Sequence, residues 1–183
     1  MYFTIISIVV ISVIGTLSHF LYDISKHNQF VWLFSAVNES TWEHIKIALT
    51  PTILWGLFDG YLFGQNPNYF LAKNLSLLII IVLMPVLFYS YKKIFKKNNP
   101  FFNILIFYVV IISSQLMFNY ILSLNPVRYL IIYLSCIATY IVLACYMIFT
   151  LMPLKNFLFK DPITNKYGFN GHPKSWNKNR LKI

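Results

Sequence analysis

Five stretches of the chain stay apolar for close to the length that a bilayer core of about 30 Å demands, roughly 20 residues of helix each. They run over 3–22, 42–63, 70–91, 101–124 and 129–152. The first is clean until His19, and the fifth is stopped by Pro153. The third contains LSLLIIIVLMPVLF, where Pro85 predicts a kink whose freed backbone groups are re-satisfied by neighbouring helices. The second is the least apolar, because Glu43, His44, Lys46, Pro51 and Asp59 interrupt it. The connections GQNPN, KKIFKKNNP and SLNP are short. The pattern predicts an all-α, integral membrane bundle of about five transmembrane helices in one domain over 1–155, followed by a basic tail over 156–183.

Between the first two stretches lies a linker, 24–41, whose Phe30, Trp32, Leu33 and Phe34 form an aromatic cluster too short to span. Such a cluster belongs in the headgroup interface, where amphipathic rings are enriched. No fixed-period repeat and no soluble domain interrupts the pattern.

Composition agrees: 58% of residues are hydrophobic and 11% charged, with a mean hydropathy of +0.64, far from a soluble domain. The formal charge of +10 comes from 15 bases against five acids. Because the bases flank apolar segments, anionic lipid is the expected partner and nucleic acid is not. No base precedes Lys26 and no small-residue cleavage site leads into a polar domain, so the first stretch reads as a retained helix rather than a signal peptide. Cys136 and Cys145 lie nine residues apart in one stretch, about 13 Å along a helix, too far to bridge each other.

Lysines set the expected orientation. Lys92, Lys93, Lys96 and Lys97 carry no acid among them, and the tail holds Lys155, Lys160, Lys166, Lys174, Lys178, Arg180 and Lys182 against Asp161 alone. The positive-inside rule puts both in the cytoplasm of a cell whose plasma membrane holds the bundle, with the N-terminus outside. The linker then faces the cytoplasm.

That linker and its flanks, His19 to Lys46, hold three of the five acids and three of the four histidines. Ionisable groups at membrane depth are costly and mark candidate sites. His19 and Asp23 stand i and i+4 on one helix face. A carboxylate there fixes the imidazole's tautomer, raises its basicity or joins it as a metal ligand, and a polar helix end reaching water has the same sequence. In VNESTWEHIK, Ser40 and Glu43 have capping-box spacing, Glu43 reaching back to the Ser40 N–H; in another register Asn38 caps and Val37 staples against Trp42. Glu43, Lys46 and Thr50 share a face, so Lys46 neutralises Glu43 or extends to the headgroups. His44 is turned about 100° from Glu43, so the two do not face one small ligand unless it lies between their faces.

If the first two helices are neighbours, His19, Asp23, Glu39, Glu43 and His44 converge at one depth. As a metal site, His19, Asp23, Glu39 and His44 suit zinc, manganese or iron better than calcium or magnesium, although no H-E-x-x-H pattern is present. Without a metal the same groups suit general acid–base chemistry, with Glu43 or Glu39 moving the proton and Asp23 orienting. Ser18 and Ser40 lack a G-x-S-x-G context for a nucleophile. A second polar group is distant: Asp59 is 15 residues beyond His44, about 22 Å along the helix, and Gln115, Asn119 and Arg128 fall at its level. Gln115 and Asn119 read as interhelical hydrogen-bond partners. Asp59 is expected to pair with Arg128 or loop water, and His27 and His172 to be solvated.

SHFLYD closing the first helix, FSAVNESTWEHIK opening the second and the later DPITNKYG together resemble an uncharacterised family of small polytopic bacterial membrane proteins. The resemblance covers most of the chain and implies a bacterial inner membrane and a bundle of five or six helices. It implies no activity, substrate or cofactor. The residues favour a polar site on the cytoplasmic leaflet that binds or modifies a lipid-soluble or amphiphilic small molecule. A transporter or ion-coupled binding protein, which needs a polar path between the two groups, and a structural partner of other membrane proteins are the alternatives.

Overall fold

The computed structural model describes residues 2–96 and 99–172. Lys97, Lys174, Trp176, Lys178, Arg180 and Lys182 lie outside the described residues. Five helices form: α1 Tyr2–Ile24, α2 Thr41–Phe63, α3 Tyr69–Phe95, α4 Pro100–Leu122 and α5 Tyr129–Leu151. The largest departure from the predicted ranges is in α3, which continues through Lys92 and Lys93 and stops where Lys96 turns left-handed at φ 51°. Among the described residues no strand is present, and one bridge pairs Lys160 with Tyr167. The fold is an all-α bundle in which α1, α3, α4 and α5 are long and apolar enough to cross a membrane. The remaining helix, α2, has the length but carries Glu43, Lys46 and Asp59.

The helix faces sort in the manner of a membrane bundle. Along α1 the buried residues are Thr4, Ser7, Ile11, Ser12, Gly15, Ser18 and Tyr22, while Ile5, Val9, Val13 and Leu17 are exposed. On α5 the buried set is Ser135, Thr139, Tyr146 and Thr150. Lipid rewards no apolar burial, so small and weakly polar side chains take the inner face, where backbones approach and hydroxyls find partners. Ser76 and Ser114 do this between α3 and α4, with their hydroxyls 2.8 Å apart.

The helix α3 packs against α2, α4 and α5, and α1 against α2 and α4. Neighbours along α1, α2, α3 and α4 run antiparallel. The start of α1 meets the second half of α2, where Trp55 Nε1 donates to Ser7 Oγ at 2.9 Å. The end of α3 meets the start of α4, where Tyr91 donates to Asn103 at 2.9 Å. Two polar ends result, one with His19 and the start of α2, the other with Asp59 and the start of α3. At the second end Asn68, buried in the loop before α3, donates to the carbonyls of Ile121, Leu124 and Asn125 and accepts from the Val127 N–H, tying the α4–α5 turn down.

Pro51 has no N–H, which strips the Ile47 carbonyl of its helical donor. Gly15 of α1 lies against that carbonyl. A Cβ added at Gly15 would stand 2.8 Å from the Ile47 oxygen and 2.6 Å from the Phe107 ring of α4. The spacing of three helices is therefore set by a missing side chain beside a missing donor.

Beyond Pro153 the chain folds back onto the His19 end. The Trp42 N–H donates to the Leu158 carbonyl at 2.9 Å, and the buried Phe159 ring stacks on Trp42 at 4.9 Å. Asp161, 0% exposed, accepts from the Glu39 N–H at 2.9 Å and from Ile163 N–H, Thr164 N–H and the Thr164 hydroxyl. Asn38 Nδ2 donates to the Gly168 carbonyl at 2.8 Å, and Gly168 takes φ 52° with Pro153 pressed against it. As far as His172 the tail is thus part of the bundle's polar end, where the sequence predicts a separate segment beyond 155.

Two measurements check this packing. Gly15→Ala should lower the thermal midpoint in detergent, overpacking of this kind costing about 1–3 kcal/mol; an unchanged midpoint would mean that the helices are not in contact there. Asp161→Ala should open Lys160 and Lys166 to trypsin in limited digestion read by mass spectrometry, and protection equal to wild type would refute the docked tail.

Candidate functional site

The start of α2 is fixed by three side chains. Ser40 is the cap, its Oγ accepting from the Glu43 N–H at 3.4 Å. Asn38 Oδ1 accepts from the Ser40 N–H at 2.8 Å. With that donor taken, the Glu43 carboxylate does not reach back to Ser40 as a capping box would have it. It accepts from the Val37 N–H at 3.0 Å and from Lys46 Nζ at 2.7 Å. Glu43 and Lys46 are 3% and 1% exposed. Lys46 also donates to the Trp32 carbonyl at 2.9 Å. Tyr146, hydrogen-bonded to Thr50 at 2.7 Å, donates to the Leu33 carbonyl at 2.8 Å. The linker's 3-10 turn, Val31–Leu33, is therefore held by its carbonyls against α2 and α5. Glu43 is committed to the fold.

Facing the other way, His44 joins His19 and Glu39 at the mouth of a cavity of about 310 Å³ between α1, α2 and α4. His19 Nε2 and His44 Nε2 each stand 3.8 Å from an oxygen of Glu39, and each faces a different one. The two rings are 6.0 Å apart. His44 Nδ1 lies 3.0 Å from the Ser40 carbonyl; a carbonyl only accepts, so Nδ1 carries a proton and the ring is turned with Nε2 toward the cavity mouth. Nε2 faces an oxygen of Glu39. At 3.8 Å neither imidazole hydrogen-bonds to Glu39, so its carboxylate keeps acceptor positions open and the mouth fits a group that brings N–H or O–H donors. Deeper walls are Ile47, Phe107 and Tyr108, the last 3.2 Å from the Thr16 hydroxyl, and Thr16, Phe20 and Ile104 are exposed at the outer rim.

Asp23 departs from expectation. Its Oδ1 is 3.2 Å from His27 Nε2 and 3.3 Å from His172 Nε2, in place of a pairing with His19. Nor are those two histidines solvated: His172 is 6% exposed and His27 is half-buried. Two residues in left-handed conformation, Lys26 at φ 56° and His27 at φ 66°, turn the chain back over α1, with the His27 N–H on the Tyr22 carbonyl at 3.0 Å. The folded-back tail brings His172.

At the opposite end, Asp59 pairs with Lys73 Nζ at 2.5 Å and accepts from Tyr69 at 2.7 Å, which corrects the pairing with Arg128. Gly56 and Gly60 leave room for these two side chains of α3, the Tyr69 oxygen standing 3.0 Å from where a Gly60 Cβ would be. Arg128 and Asn119 are exposed and Gln115 is buried in α4, so the four residues of that group do not form one site. Lys73 was legible as a lone base inside an apolar stretch at the depth of Asp59. The pairing of His27 with Asp23 had a local signal in its i, i+4 spacing; the roles of His172 and Asp161 had none, because each depends on the tail's return.

Residues 1–169 match a family described as of unknown function, DUF6512. The chain belongs to that family. No curated protein and no solved structure matches it. The match contains all three strings on which the resemblance rests, and the fold joins them: Asn38 and Glu39 of the second string bind Gly168 and Asp161 of the third, beside His19 and Asp23 of the first.

Removing one member of a buried ion pair leaves the other charge stranded, at a cost of about 3–5 kcal/mol. Lys46→Met should therefore destabilise the fold by that order, and Glu43→Leu with Lys46→Met by clearly less than the two single changes summed. Additive losses in thermal or chemical unfolding would show that the pair is not coupled.

Proposed function

We propose that the cavity between α1, α2 and α4 binds an amphiphile whose head group donates hydrogen bonds, such as a primary amine or a hydroxyl, to Glu39, His19 and His44. The observation that carries this reading is two imidazoles and one carboxylate, rich in acceptors, at the mouth of a cavity of about 310 Å³. That volume is at the small end of ligand sites, so it holds a head group and the first part of a chain while the rest lies along Phe20 and Ile104 in the bilayer. With Lys92, Lys93, Lys96, Lys155, Lys160 and Lys166 at the same end, the positive-inside rule makes this the cytoplasmic leaflet of a bacterial plasma membrane, with the N-terminus outside and anionic lipids around the bases.

Binding is favoured over transport between the two ends. Ile11, Leu49, Leu77, Ile80, Val110 and Ile111, none more than 1% exposed, lie at the levels between them. The charges on either side are spent on partners, Glu43 on Lys46 and Asp59 on Lys73. If the site also modifies its ligand, Glu39 and His44 are the groups placed to move a proton at the head group.

Detergent-solubilised protein should retain an amphiphile by native mass spectrometry. A long-chain primary amine or alcohol should bind more tightly than the quaternary ammonium of equal chain length, which has no proton to donate. A hydrogen bond to a charged group is worth about 1.5–3 kcal/mol, so Glu39→Ala should weaken binding by about 10- to 100-fold, with His44→Ala acting in the same direction. Equal binding of amine and quaternary ammonium, or retention undisturbed by both substitutions, would refute the reading.

A further inference from the structure

Three side chains from three separate segments meet beside the amphiphile cavity without belonging to it: Asp23 from the last turn of α1, His27 from the left-handed turn after it and His172 from the folded-back tail. One ligand atom from each lies within 4.8 Å of the others. The two distances from Asp23 Oδ1 are 3.2 Å to His27 Nε2 and 3.3 Å to His172 Nε2. Zinc holds nitrogen and oxygen ligands at about 2.0–2.1 Å in a tetrahedron, which puts ligand atoms about 3.3–3.4 Å apart. The Asp23 edges of the group have that length.

The surroundings suit a fixed site. Tyr22, buried, stands behind both imidazoles, with ring centroids 5.2 Å from His27 and 5.0 Å from His172, and the two imidazoles are 4.9 Å apart edge to face. Packed rings hold their nitrogens in place, so ligands are preorganised on that side. Asp23 is the exposed member, its side chain 48% accessible, which leaves a path for an ion to enter. Two neutral imidazoles and a carboxylate are borderline ligands, matched to zinc and its neighbours rather than to calcium or magnesium, which prefer all-oxygen shells.

The geometry points to a divalent transition-metal site, of the zinc type, formed by Asp23, His27 and His172, which fastens the folded-back tail to the end of α1. Three protein ligands leave a fourth position for water. A metal that binds only when His172 is docked stabilises the docked tail by mass action. The same tail segment holds the Glu39 backbone through Asp161, so the fastening bears on the mouth of the neighbouring cavity. This proposal is independent of what that cavity binds, because it shares no ligand atom with His19, Glu39 or His44.

The test uses the full chain, purified in detergent, stripped with a chelator and titrated with zinc by calorimetry, with metal content read by mass spectrometry. Wild type and His44→Ala should each bind one zinc per chain, and His27→Ala, His172→Gln and Asp23→Asn should each lose it or weaken it at least tenfold. Cobalt loaded in place of zinc should give the intense visible bands of a four-coordinate site, absent from His172→Gln. Zinc should slow tryptic cleavage at Lys160 and Lys166 in wild type and leave His172→Gln unchanged, a readout that does not depend on any activity. Zinc binding that survives His172→Gln, that is lost in His44→Ala, or that is absent from folded wild type would overturn the site and leave the contacts as hydrogen bonds from two imidazoles to one carboxylate.

Discussion

A carboxylate and an ammonium inside an apolar bundle must find each other, and must also fill their remaining hydrogen-bonding positions, or the cost of desolvating them is not recovered. Glu43 and Lys46 meet the first demand by standing one turn apart on α2, at 2.7 Å. They meet the second with groups from the linker, the Val37 N–H and the Trp32 carbonyl. That requirement draws the linker onto the bundle. Once the linker is fixed, Asn38 and Glu39 present the groups on which the tail docks, through Gly168 and Asp161. The docked tail buries Phe159 against Trp42 and delivers His172 to Asp23.

The same logic separates structural from functional polarity. Both deeply buried acids of the five helices, Glu43 and Asp59, face a lysine and one further donor, the Val37 N–H for the first and the Tyr69 hydroxyl for the second. Such groups have little left to offer a ligand. Glu39 and Asp23 are different, because each keeps a side chain accessible at the polar end and faces imidazoles at the edge of the bundle. Charges that are partly solvated remain able to exchange partners. The two histidine groups sit side by side, one at a cavity and one at the tail's attachment, and both depend on residues 35–40 being held in place.

Much of the fold could be read from the chain. Apolar length located five helices, and helical period put Glu43 beside Lys46 and turned His44 away from them, since both signals are local. Ser40 and Asn38 each contribute to the start of α2, where the sequence offered them as alternative caps. Period also put His19 and Asp23 on one face, yet they take different partners, because the left-handed turn at Lys26 and His27 sets a closer imidazole over Asp23. The aromatic linker was legible as a segment too short to span; its attachment by the Trp32 and Leu33 carbonyls was not, because backbone acceptors carry no residue signature.

The sequence by itself determined the class of the protein, an all-α bundle with a polar end rich in histidine and acid, because hydrophobic length and helical spacing are properties of neighbours along the chain. Only the tertiary structure decided which histidine meets which acid. Asp23 with His172, Glu39 with His19, and Asp59 with Lys73 are contacts between separate elements of the chain. Their pairing follows from how a linker and a tail fold back to satisfy buried charge, and that balance exists only once the helices are packed.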